Sequence, residues 1–406
     1  MTEQHAKERI RSWMLSAAPD HLPDHVLVAT FEQTRQLGQM SRRHRWASIT
    51  MRQLPIVFAV GAIAIVLLVS SLGFGGTIVP RPTESELGRP LGVQFGGTTQ
   101  LSGQWVPSSS IAFTVRFAEP EDDPLYWRAA VYDDFELTAW RQSVAGGFDV
   151  PSGDEVLGET AELVTDVGRR AVEFRILPDE FQGSTILSPE APSRVDTPVR
   201  VSYVDEARFL AGIDRTGSGP YTVTALVRDR ADSDTAALTA NNLRAASTTY
   251  PAAITDRYVQ VPAGAMPPGG AAERLLADIL TESPDPDNPY DLASTMVGYF
   301  REPANFTYDT DVRDLACERV STVECFARYR KGYCQYYATT MAILLRQLGI
   351  PTRLVTGFLP GTRDAGLHEV VPFNAAHAWV EVYFPGYGWV VFDPTGGGIA
   401  QLPVLP

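Results

Sequence analysis

The chain is short of cysteine, of histidine and of positive charge. Its 406 residues hold 3 cysteines and 6 histidines, and 34 basic side chains stand against 48 acidic ones, a net charge of −14. The deficit of positive charge excludes nucleic acid as the main partner, because a phosphate-binding surface needs a basic excess. No basic cluster follows the first 53 residues. Cysteine and histidine are too few, and no acidic loop has the spacing of a calcium site, so neither a metal nor another cofactor is implied.

Long apolar runs are equally scarce. The only one is "LPIVFAVGAIAIVLLVSSLGF", residues 54–74, 21 residues without a charge. That length crosses a hydrocarbon layer of about 30 Å as a helix. A cleaved signal peptide would have a shorter apolar core, an earlier start and a small-residue cleavage site, so the segment reads as an anchor. Arg42, Arg43, Arg45 and Arg52 precede it. Positive flanks stay in the cytoplasm, which predicts a single-pass membrane protein with residues 1–53 inside and the remainder extracytoplasmic, at the cell membrane. Beyond the span, 26 basic side chains face 43 acidic ones, a surface that stays soluble beside an anionic membrane.

The cytoplasmic tail holds one loosely amphipathic stretch, "PDHVLVATFEQTRQL" at residues 23–37, and no chemistry. From about residue 80 to 230 the pattern has period two and is rich in β-branched and aromatic residues, as in "SIAFTVRFAEP", "RAVEFRIL" and "PYTVTALVRD". This predicts an all-β domain, a sandwich or open barrel. Its Trp127 and Trp140 fit a ligand platform or a core, and the core is the commoner fate of such residues. Residues 231–270, rich in Ala, Pro and Gly, read as a linker. "AAERLLADILTES" and "PYDLASTMVGYFRE" then read as helices that open a catalytic domain over residues 271–406.

The chemistry concentrates in "KGYCQYYATTMAILLRQLGIPTRLVTGF", residues 331–358. Cys334 opens a helix that places Ala338, Met341, Leu344, Leu345 and Leu348 on one face, and Gly349 with Pro351 ends it. Unpaired N–H groups and the positive end of the helix dipole there favour negative charge on sulfur, the nucleophilic form. The same groups can bind a developing oxyanion. Cys334 also fits a small buried hydrophobe or half of a disulfide. Cys317 and Cys325, close in sequence and outside the membrane, pair with each other, which leaves Cys334 free.

A thiol nucleophile needs a base, and only His368 and His377 lie beyond the span. His377 opens "HAWVEVYF", an alternating strand that turns back through "FPGYG" into "WVVFDPT". With that turn, Tyr383 faces Trp389 and Trp379 faces Asp393, so His377 and Asp393 become diagonal neighbours. Asp393 then orients the imidazole, unless it merely starts a turn and His377 is a strand-end surface residue. His368 sits in "GTRDAGLHEVVPFN", residues 361–374, polar and without clear period. This reads as a mobile rim of the substrate groove, with His368, Glu369 and Trp379 as groove candidates, or as a solvated connection without a role.

These motifs resemble the transglutaminase-like superfamily, a papain-related α+β fold. "GYC" at 332–334, "LGIP" at 348–351, "HAWVEVY" at 377–383 and "GWVVFDPT" at 388–395 stand in the family's order over about the last third of the chain. "YWRAAVYDDFELTAW", residues 126–140, is similar to a segment that precedes this domain in membrane-bound bacterial relatives. The resemblance implies Cys334 as nucleophile, His377 as base and acid, Asp393 as orienter, and a protein or peptide substrate, cell-wall peptide among the candidates. It implies a thioester intermediate passed to an amine or to water, hence a transglutaminase, a deamidase or a cysteine protease. The alternative is a non-enzymatic cell-envelope binding module, favoured if Cys334 were far from His377 or paired with Cys325.

Overall fold

A computed structural model of the chain describes residues 95–399, apart from 102, 107, 161, 163–167, 182 and 230–237. The tail over residues 1–53, with its amphipathic stretch, and the predicted span over 54–74 lie outside the described residues. Among the described residues no helix is long and apolar enough to cross a membrane.

Period-two sequence gives strands where it was expected. They include β1 (Ile111–Phe117), β2 (Trp127–Tyr132), β3 (Arg169–Pro178), β4 (Ala191–Val195) and β5 (Tyr221–Arg228). Along β5 the residues Tyr221, Val223, Ala225 and Val227 are buried and their neighbours are partly exposed, the alternation of a strand with one face on a core. A separate three-stranded sheet is built from Val144–Val150, Val199–Val204 and Phe209–Arg215. Trp127 and Trp140 are both fully buried, as core residues.

Six helices follow. Two short ones, α1 (Ala240–Arg244) and α2 (Ala252–Tyr258), lie in the stretch read as a linker, and its described part, residues 238–270, is packed rather than free. Leu238 and Leu243 belong to the main helical core, while Ile254 and Tyr258 pack against Phe209, Tyr383 and Trp389. Then come α3 (Ala271–Glu282), α4 (Pro289–Arg301), α5 (Thr322–Tyr329) and α6 (Cys334–Gln347). Asn288 caps α4 by accepting from the N–H groups of Tyr290 and Asp291, and Pro289 stands at its first position. Ser321 caps α5. The α3 N-terminus begins at Gly270 with no side-chain cap of its own. Instead, the buried Glu324 of α5 reaches across to accept from the N–H groups of Ala271 and Ala272, each at 2.9 Å.

The chain returns to strands in β6 (Thr352–Phe358), β7 (Thr362–Asp364), β8 (His368–Pro372), β9 (Ala376–Phe384) and β10 (Gly388–Phe392). These complete two sheets, a four-stranded one in the order β10-β9-β6-β2 and a six-stranded one in the order β7-β8-β1-β3-β5-β4. The expected separation into an all-β domain and a catalytic domain is therefore not seen in the strand pairing. Strand β2, from the early β-rich stretch, pairs antiparallel with β6, and β8, from the last third, pairs antiparallel with β1. The physical reason is legible in burial. All six residues of β2 are buried, so it needs cover on both faces, which a two-layer domain of its own would not supply. Residues 361–374, expected as an irregular loop, supply β7 and β8. The contacts group Pro82–Pro406 into one unit, with a mixed α/β fold and a β-rich N-terminal region.

Candidate active site

Helix α6 is buried at every position except Gln335 and Gln347. One side packs against β9, where Ala378, Val380, Val382 and Phe384 share a core with Met341, Leu344 and Leu345, and another side packs against α5. This wider burial exceeds the single apolar face expected from spacing. Cys334 is the first residue of α6, after Tyr333 with an extended backbone and no side-chain cap, so the leading N–H groups are not tied to a capping side chain. Gly349, in the left-handed region at φ 76°, ends the helix as expected. Cys334 is free and 4% exposed. Cys317 and Cys325 form a disulfide, with Cα atoms 5.6 Å apart.

His377 enters on β9 opposite Gly357 of β6. At Gly357 the backbone of β2 comes so close that a Cβ would collide with the Trp127 carbonyl, so only glycine lets three strands meet beside the histidine. The β9–β10 turn has the expected register, Tyr383 opposite Trp389 and Phe384 opposite Gly388. Asp393 follows β10 directly, and its Oδ2 lies 2.8 Å from His377 Nε2. The same oxygen accepts the Tyr126 hydroxyl at 2.7 Å, while Oδ1 accepts the Thr395 N–H at 3.0 Å. Arg301 Nη2 donates to the Asp393 backbone carbonyl at 2.6 Å.

Burial is the largest influence on His377 and disfavours its charged ring. Asp393, hydrogen-bonded to the ring, and Cys334 outweigh it and push its pKa up to about 10. Burial likewise opposes charge on Asp393. His377, Tyr126 and the Thr395 N–H together hold that carboxyl below the usual carboxylate range. The carboxylate thus holds the imidazole, and the thiol adds to the influences that favour its charge.

The three groove candidates are placed differently. Glu369 is fully buried on β8, where it accepts from Trp127 Nε1 at 2.7 Å, Gly361 N at 2.9 Å and Arg363 Nε at 2.9 Å. It is a core carboxylate and presents nothing to a groove, because its negative charge is spent on these three donors. His368 is on the exposed side of β8, held by Arg116 and Asp364. Trp379 is 1% exposed; its ring is tilted 20° from that of His377 at 6.4 Å and meets Tyr126 edge-on at 5.2 Å. It backs the imidazole instead of facing open solvent. Tyr126 and Trp379 also line a cleft with Arg169, Glu190 and Trp389. Sequence reading missed Tyr126 and Arg301, neither of which carries a periodic or spacing signal for contact with Asp393, while the Thr395 N–H bond is the local turn that Asp393 was also expected to start.

Residues 276–394 match the family model of the transglutaminase-like superfamily, and residues 26–232 match that of the TgpA N-terminal domain. A protein-glutamine gamma-glutamyltransferase of Pseudomonas aeruginosa is 26% identical over 312 residues, 74% of this chain and 41% of that protein. YebA of Bacillus subtilis, itself uncharacterized, is 38% identical over 150 residues, 35% of this chain and 19% of that protein. The chain thus spans well under half the length of these curated relatives. The crystal structure of the periplasmic domain of TgpA from P. aeruginosa superposes with a TM-score of 0.48 at 22% identity, covering 73% of this chain and 94% of that one. With about half its length matched by the one model and its last third by the other, the chain belongs to the TgpA N-terminal domain family and carries a transglutaminase-like core.

Proposed function

We propose that this protein is a membrane-anchored, extracytoplasmic thiol enzyme that transfers the acyl group of glutamine amides in proteins or peptides through a Cys334–His377–Asp393 triad. The observation that carries the reading is His377, buried with Nε2 2.8 Å from Asp393 Oδ2 and with its charged form favoured by both Asp393 and Cys334. The name of the Pseudomonas relative supports glutamine as donor. The free state of Cys334, with Cys317 and Cys325 bonded to each other, counts against the non-enzymatic alternative. The disulfide and the charge bias around residues 54–74 support an extracytoplasmic location.

The thiolate attacks the carboxamide carbon, forming the C–S bond and a tetrahedral oxyanion that the leading N–H groups of α6 stabilise. The C–N bond then breaks, and the nitrogen leaves as ammonia with the proton that His377 carried. With Nε2 engaged by Asp393, the nitrogen that serves the sulfur is Nδ1. A primary amine next loses a proton to His377 as it attacks the thioester, and the thiolate is released. Water in place of the amine gives deamidation. The test is incorporation of a fluorescent primary amine into a glutamine-rich protein by the full chain. Incorporation that Cys334→Ala abolishes supports the reading; no incorporation and no ammonia release by the wild type would contradict it.

A further inference from the structure

The Asp393 carboxylate is addressed from a part of the chain 267 positions earlier. Tyr126 precedes β2, whose place is fixed by pairing with β6, Trp127 opposite Phe358. Its hydroxyl donates to the Asp393 oxygen that also accepts His377 Nε2, so both lone pairs of Oδ2 are used, and the Thr395 N–H engages Oδ1. Its ring stands edge-on to the His377 ring at 6.0 Å and to Trp379 at 5.2 Å, with 4% of the residue exposed. We propose that Tyr126 is a positioning residue of the triad: it fixes the carboxylate in the plane that points Oδ2 at His377, so the β-rich region supplies part of the active site. The inference rests on the triad reading above.

A buried tyrosine needs a hydrogen-bond partner in any core, so a structural role alone would also explain the contact. The two roles separate in their effect on ionisation. A donor to a carboxylate favours its charged form, and removing the donor raises the pH at which that carboxylate is neutralised. Protonated Asp393 no longer orients the imidazolium toward the sulfur, and the reaction of Cys334 slows.

The variant is Tyr126→Phe in the full chain, which keeps the ring contacts. Two measurements are made, kcat and KM for amine incorporation, and the pH dependence of the rate at which Cys334 reacts with iodoacetamide. Positioning predicts kcat lower by about tenfold with KM within about twofold, and an acid limb of the alkylation profile moved up by about one pH unit. An unmoved acid limb overturns the proposal, whatever happens to kcat, because packing alone would leave it in place. If the wild type incorporates no amine yet the acid limb moves, the positioning role stands and the acyl-transfer reading falls.

Discussion

Burial alone would keep the His377 ring neutral, since a charged group withdrawn from water loses its hydration. Asp393 and Cys334 reverse that preference, and the ring holds its proton up to about pH 10. In the unfolded chain the ring titrates near about 6.5. The folded state therefore binds the proton more tightly, so the stabilisation is fully present below about pH 6.5 and is lost as pH rises toward 10. Asp393 behaves oppositely: its contribution is present above about pH 3.9 and is lost as pH falls through its lowered folded value. Urea denaturation of the wild type and His377→Gln across pH should show a stability difference that is largest near pH 4 to 6.5 and shrinks steadily toward pH 10; a difference that grows toward pH 10 would contradict the ion pair. Among triad variants, Asp393→Asn should retain activity about 10²- to 10⁴-fold below wild type, while Cys334→Ala retains none. Equal residual rates in the two folded variants would remove Asp393 from the orienting role. The proposed triad could be named because cysteine and histidine are rare here and the hairpin register can be counted to Asp393. Tyr126 was not, because a hydrogen bond spanning 267 positions leaves no local pattern.

Strand β8 shows why one element escaped a reading that placed the early strands and helices α3, α4 and α6 well. Strand β2 was expected as a strand, and what its sequence did not show is the cover on both faces and the pairing with β6. Strand β8 alternates, but its inward positions are Glu369 and Val371, and an inward carboxylate makes the segment look like a surface loop. Glu369 is tolerated because Arg363, Trp127 and the Gly361 N–H satisfy it. Glu369→Ala leaves Arg363 partly buried without that partner and should cost about 3 kcal/mol, read from urea unfolding. Donor KM should change little in that variant. A large rise in KM with unchanged stability would restore Glu369 to the substrate groove and undo its assignment to the core.

Across the whole molecule, the β-rich region and the transglutaminase-like core share both major sheets, although composition divides them at residues 231–270. Sequence pattern reports local period and not which strands pair at long range, so the change in composition was readable and the pairing of β2 and β8 across it was not. A fragment of residues 271–406 lacks β1, β2 and Tyr126, leaving β6 and β8 with unpaired edges. It should be unfolded or aggregated by circular dichroism and gel filtration, and a soluble, folded fragment would contradict the shared-sheet architecture. The central claim is covalent catalysis by Cys334, and mass spectrometry of the full chain mixed with a glutamine donor peptide, quenched in acid, tests it most directly. The predicted result is an adduct on Cys334 equal to the peptide less one ammonia, discharged faster by a primary amine than by water. Amine transfer that proceeds with no adduct on Cys334, or that survives in Cys334→Ala, would contradict it.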